Sequence, residues 1–179
     1  MRVTRTSEME YVKFTVPGCP QGKGRPKFVK IGNFTKAYTP KETVQYENLI
    51  KLCYQEAAGM QRFDDEAMID ARIMAYYSIP KSVSKKKHEM MVGKVIRPTK
   101  KPDADNICKS VLDALNGIAY HDDAAVVDVQ IRKFYSENPR VEVILRAIGK
   151  EICGNGRTDG EPVGVQASES DGGRLPAGD

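Results

Sequence analysis

KPDADNICKSVLDALNGIAYHDDAAVV, residues 101–127, holds both a helix-to-strand switch and the densest chemistry of this 179-residue chain. Ile107, Val111, Leu112, Leu115 and Ile118 recur at helical spacing, with Gly117 as a stop, so Asp103–Asn116 is predicted to be a helix. After the acidic turn at Asp122 and Asp123 the pattern changes to a strand over Val126–Tyr135. A second strand follows over Arg140–Ala147, and the polar turn Ser136–Pro139 between them reads as a hairpin.

Upstream the same alternation of types continues. EYVKFTV (10–16) alternates as a strand. PGCPQGKGRPKF (17–28) holds three glycines and three prolines and must be a loop, one that can carry Lys23, Arg25 and Lys27 to phosphates or simply be a solvated turn. Thr39-Pro40-Lys41-Glu42 reads as a capping box for a helix running to Ala58, with Val44, Leu49, Ile50, Leu52 and Cys53 on its buried face and Gly59 as its cap. Ala67–Tyr77 alternates Ile69, Ala71, Ile73, Ala75 and Tyr77 as a strand that Pro80 ends. SVSKKKHEMMVG (82–93) reads as a short basic helix whose Lys85, Lys86 and Lys87 either track a DNA backbone or form a solvated face. Strands and helices in this order give an α+β class, a single domain over residues 1–150. The Gly/Ser/Asp-rich stretch 151–179 lacks periodicity and is expected to be a disordered polar tail.

Charge narrows the partners. The net charge is +4, but from Gly154 onward five acids face two arginines, leaving about +7 on residues 1–153. A body of that charge attracts phosphate backbones. Cys19, Cys53, Cys108 and Cys153 are scattered without a CxxC or Cys/His cluster, which argues against zinc and fits a reducing compartment. Cys108 reads as a small core residue. No apolar run approaches the roughly 18 residues of a membrane span, and the N-terminus lacks a secretory pattern, so no membrane partner and a cytoplasmic location are expected.

Asp103 and Asp105, two apart, point to one side if their segment is extended, and could ligate one ion. Lys109 lies four residues after Asp105 and four before Asp113, so the three share a helix face. Asp122 and Asp123 return after Gly117. Clustered carboxylates favour a hard divalent cation such as Mg2+, with Mn2+ as a substitute. The competing reading makes Asp103 or Asp105 a helix cap, Lys109 and Asp113 a surface pair worth ~0.3–0.5 kcal/mol, and Asp122 and Asp123 turn residues. His121 reads as a turn residue beside the site.

At VPGCPQGKGRPKF, SKKKHEMMVG, KPDADNICKSVLDALNGIAYHDDAAVV and the following strand ending in KFY, the chain resembles the RusA family of Holliday junction resolvases, common in phages and prophages. The matching segments span roughly residues 11–146. The resemblance implies a mixed β-sheet with flanking helices in a two-layer arrangement, and a magnesium-dependent endonuclease acting as a homodimer on four-way branched DNA by nicking opposing strands. It implies Asp103, Asp105 and Asp123 as metal-binding catalytic carboxylates, Lys109 as the essential lysine and Asp122 as a supporting residue. DNA contacts are expected from Lys23, Arg25, Lys27, Lys85, Lys86, Lys87 and Lys101. Two rivals stand beside this reading: a non-catalytic branched-DNA-binding protein, and a DxD metal-dependent glycosyltransferase.

Overall fold

A computed structural model of the chain describes residues 9–149, apart from Asn33 and the side chain of Ile31. The expected polar tail and Cys153 lie outside the described residues. The elements are β1 (Tyr11–Pro17), β2 (Lys27–Ile31), β3 (Phe34–Tyr38), α1 (Lys41–Ala58), β4 (Met68–Ser78), α2 (Lys85–Val92), α3 (Ala104–Leu115), a 3₁₀ turn at Asp123–Ala125, β5 (Val126–Ser136) and β6 (Arg140–Ile148). The class is α+β, with a mixed four-stranded sheet in the order β1-β6-β4-β5 and a separate two-stranded sheet, β2-β3.

Period-two patterning builds the core. Val12, Phe14 and Val16 of β1, Ile69, Ala71, Ile73, Ala75 and Tyr77 of β4, and Val141, Val143 and Leu145 of β6 are buried with residues of α1 and α3 in one hydrophobic cluster. Ile107, Val111, Leu112 and Leu115 of α3 join it, as their spacing predicts. The Phe14 and Tyr54 rings meet edge to face at 5.8 Å.

Three expectations change. β5 and β6 do not form a hairpin: β4 lies between them, parallel to β5 and antiparallel to β6. The connection at 137–139 steps over one strand, a crossing of about 10 Å that four Cα steps of ~3.3–3.6 Å can span. Short spacing sets how far two strands can separate and leaves their partners open. The N-cap of α1 is Pro40 and no side chain makes a cap hydrogen bond there, so the Thr39 capping box does not form. Its buried face is Thr43, Tyr46, Ile50, Cys53 and Tyr54, whereas Val44 and Leu52 are 41% and 53% exposed. Tyrosine rings claim that face through the apolar area they bury: Tyr54 also donates to the Gln61 carbonyl at 2.8 Å, whereas the buried Tyr46 hydroxyl has no hydrogen-bond partner among the described residues. The segment 17–28 is not loop throughout: Lys27 and Phe28 open β2, whose hairpin with β3 is not expected from the sequence.

Candidate active site

The segment leading to α3 is anchored from the sheet. Tyr77, at the carboxyl end of β4, donates to the Pro102 carbonyl at 2.8 Å. Lys133 of β5 donates to the carbonyls of Lys100 and Pro102 at 2.7 and 2.9 Å, and Arg97 donates to the Lys133 carbonyl at 2.9 Å. Burial pushes the Lys133 ammonium down in pKa, with the charge of Asp103 acting against that effect. Asp103 therefore enters α3 from a pinned backbone.

Asp103 is the N-cap of α3, yet its side chain makes no cap hydrogen bond, and it is exposed. The capping alternative accounts for its backbone position and leaves its carboxylate free. Asp105 lies in the first helical turn, also exposed. The two are consequently not on one extended segment; a helix start presents them instead, because Ala104 already has helical geometry. Lys109, one turn on, is exposed and has no ion-pair partner among the described residues.

The surface pair between Lys109 and Asp113 does not form, because Asp113 is taken by Lys23. Lys23 also lies 3.3 Å from Glu47 of α1, so one lysine ties two helices together. Burial alone would lower its pKa, but the hydrogen bond and charge of Asp113, together with Glu47, hold it above the ordinary lysine value. The loop that carries Lys23 is docked, not solvated. A Cβ on Gly22 would stand 2.9 Å from the Pro102 Cβ, and one on Gly24 would stand 2.5 Å from the Thr43 hydroxyl oxygen. The Lys23 N–H donates to the Asn106 carbonyl at 3.2 Å, and the Gly24 N–H to the Thr43 hydroxyl at 3.2 Å. Glycines allow this close approach to both helices. As a result Lys23, Arg25, Lys101 and Asp103 line one open groove with Gly22, Pro102 and Asn106.

Asp122 and Asp123 differ in the work they do. Asp122 accepts the Ala124 N–H at 2.9 Å and so closes its own turn. Asp123 is half-buried; burial pushes its carboxyl up, and the nearby charges of Asp122 and Asp113 push it further. Tyr120, buried beneath, donates to the Leu112 carbonyl at 2.9 Å, and burial, then Asp123 and Asp113, push its phenol strongly up. His121 is an exposed turn residue lining a shallow groove with Asp64 and Asp122.

Asp103 and Asp105 are thus together at the start of α3, while Asp123 sits with Asp122 and Asp113. Eight residues separate Asp105 from Asp113, a rise of ~12 Å along a helix. Among the described residues no three His, Cys, Asp or Glu side chains converge tightly enough to hold a metal ion. The donor set is nevertheless oxygen-only and repulsive at Asp123, which suits magnesium. An ion held by one or two carboxylates, with water and phosphate oxygens completing its octahedron, fits these residues; a cage of all three aspartates does not form in this arrangement.

The remaining expected cations are placed on the surface. Lys27 begins β2, and Lys85, Lys86 and Lys87 form the exposed first turn of α2, capped by Ser84 through the Lys87 N–H at 3.4 Å. Three exposed cations at a helix N-terminus oppose the helix dipole, a small unfavourable effect that salt or a bound anion relieves. No described helix is long and apolar enough to cross a membrane.

Sequence reasoning overlooked Lys133 and Tyr77, whose strand patterns spoke only of burial, and did not assign Asp113 to the site. The Asp105-Lys109-Asp113 spacing was the available signal for Asp113.

The chain is 38% identical over 142 residues to the "Uncharacterized protein YqaN" of Bacillus subtilis (strain 168), covering 78% of this chain and 99% of that protein. The family described as "Endodeoxyribonuclease RusA" matches residues 17–146, which include the docked loop, α3 and every candidate carboxylate. The chain belongs to the RusA endodeoxyribonuclease family.

Proposed function

We propose that this protein is a magnesium-dependent, structure-selective endodeoxyribonuclease that resolves Holliday junctions by paired nicks in opposing strands, acting as a cytoplasmic homodimer in DNA recombination and repair. One observation carries the reading furthest: Asp103 holds the N-cap of α3 without spending its carboxylate on the helix, beside a groove lined by Lys23, Arg25 and Lys101. A free carboxylate at a helix start beside phosphate-attracting cations suits metal-assisted attack on a phosphodiester.

In this reading Asp103 and Asp105 hold Mg2+ (or Mn2+), and Asp123, set apart from that pair beside Asp122 and Asp113, acts as a further catalytic carboxylate without sharing their ion. When bound, the metal supplies charge stabilisation to the attacking and leaving oxygens. Lys109, unpaired among the described residues and one turn beyond Asp105, meets charge developing on the scissile phosphate. Asp122 supports Asp123 by fixing the turn. Arg25, Lys27, Lys101 and the Lys85–Lys87 turn hold flanking phosphates. Lys23, engaged by Asp113 and Glu47, contributes mainly by placing Arg25 at the groove. A homodimer suits a nearly symmetric junction because its two sites face equivalent strands.

Asp105→Asn is the discriminating variant. Expected is loss of magnesium-dependent nicking with four-way junction binding kept or strengthened. Unchanged nicking removes Asp105 from the mechanism, and a wild-type protein that binds junctions without nicking them is a non-catalytic binder.

A further inference from the structure

Among the described residues nothing covers the β2-β3 hairpin. It forms its own two-stranded sheet, and every described side chain from Lys27 to Tyr38 is exposed. Phe34 is 82% exposed and Phe28 71%. An isolated two-stranded hairpin is at best marginally stable in water, so large exposed aromatics on one point to a partner.

Register sorts the side chains. Lys27 pairs with Tyr38, Val29 with Lys36 and Ile31 with Phe34, which places Phe34, Lys36 and Tyr38 of β3 on one face with Lys27 and the exposed Val29 of β2. The other face carries Phe28, Lys30, Thr35 and Ala37. From Tyr11 to Lys41 the chain has no acidic residue and seven basic ones: Lys13, Lys23, Arg25, Lys27, Lys30, Lys36 and Lys41. A two-fold contact with a second copy would set this cationic surface against itself. A polyanion with exposed π-faces meets both requirements, since alternating aromatics and cations are what a single-stranded nucleic-acid platform needs. The hairpin also begins two residues after Arg25, at the rim of the groove that contains Asp103.

We propose that the face formed by Phe34, Lys36, Tyr38, Lys27 and Val29 is an arm that stacks on bases exposed at the branch point of the DNA substrate and grips the flanking phosphates. The inference rests on the nuclease reading and deepens it, because it names the element that tells branched from linear DNA. Phe34, in the last pair before the hairpin turn, is the leading stacking residue.

The chain has no tryptophan, so Phe34→Trp installs a single indole reporter. The probes are an immobile four-way junction and a linear duplex of matched sequence, titrated in EDTA against the full chain. Expected are quenching of the indole by the junction and little by the duplex, and about 10-fold weaker junction binding by the double variant Phe34→Ser with Tyr38→Ser. Lys27→Gln with Lys36→Gln lowers the slope of log affinity against log salt by roughly 2. Phe28→Ser, on the other face, leaves junction affinity within about twofold. All these side chains are exposed, so circular dichroism and melting temperature stay at wild-type values.

Unchanged junction affinity with an unmoved indole overturns the arm while a nicking wild-type enzyme keeps the nuclease reading intact. Conversion of the double variant from dimer to monomer in sedimentation also overturns it, by assigning the face to a second copy. Failure of the wild-type protein to bind or cut any DNA defeats the nuclease reading itself, and the arm with it.

Discussion

Lys23→Met tests whether the loop before β2 is a structural bolt. The lysine joins Glu47 and Asp113, and the three side chains are only 30%, 19% and 20% exposed. Removing it leaves two mostly buried carboxylates without a counter-charge. Breaking a fully buried pair costs ~3–5 kcal/mol; the residual solvent access here brings the expected loss to about 2 kcal/mol. In a chain of this size that is a fall of roughly 4–8 °C in melting temperature. The pH dependence has a definite sign. Lys23 is held above its ordinary value of 10.5, so its contribution is fully present below that pH and is lost as pH rises through the higher folded value. The gap between wild type and variant should be constant through neutral pH and narrow only in strong alkali. Adding Asp113→Asn and Glu47→Gln to Lys23→Met should recover much of the loss by neutralising the stranded acids. A change below ~0.5 kcal/mol, or a loss that these neutral partners fail to relieve, would refute the account.

Further outcomes follow from the same structure. Asp123→Asn should abolish nicking yet raise the melting temperature slightly at pH 7: its carboxyl is pushed up by burial and by Asp122 and Asp113, so ionisation opposes folding as pH climbs past the ordinary carboxylate value. Comparing melts at pH 3 and pH 7 checks this, with the advantage confined to the higher pH. Lys133→Met removes two hydrogen bonds that hold the backbone before Asp103, and should cost about 1–2 kcal/mol after allowance for exposure while reducing nicking more than junction binding. Ile73→Ala, in the fully buried centre of β4 between Ile131 and Val143, should cost ~2–5 kcal/mol by denaturant titration. A loss typical of an edge strand there would contradict the strand order.

Much of this fold was legible because its signals are local. The alternation of Ile69, Ala71, Ile73, Ala75 and Tyr77 and the helical spacing of Ile107, Val111, Leu112 and Leu115 depend only on which face is buried. Pairing is a tertiary choice, so nothing in Ser136–Pro139 tells that β4 separates β5 from β6. The buried face of α1 was misjudged for a related reason: Tyr46 and Tyr54 carry hydroxyls but bury large rings, whereas Val44 and Leu52 happen to face outward. At the site, residue types suggest a chemistry, and the surrounding structure decides which carboxylates are engaged. Asp103 is free because its helix starts without it, Asp122 is occupied by Ala124, and Asp113 is engaged by a lysine 90 residues away, a distance across which spacing carries no information.

Cleavage of matched four-way, Y-shaped and linear duplex DNA, each with Mg2+ and with EDTA, tests the central claim most directly. The account predicts paired nicks in opposing strands of the four-way junction, dependent on Mg2+, with linear duplex left intact. Equal cutting of linear duplex would contradict junction resolution while leaving a nuclease, and undiminished cutting in EDTA would contradict the metal role assigned to Asp103 and Asp105.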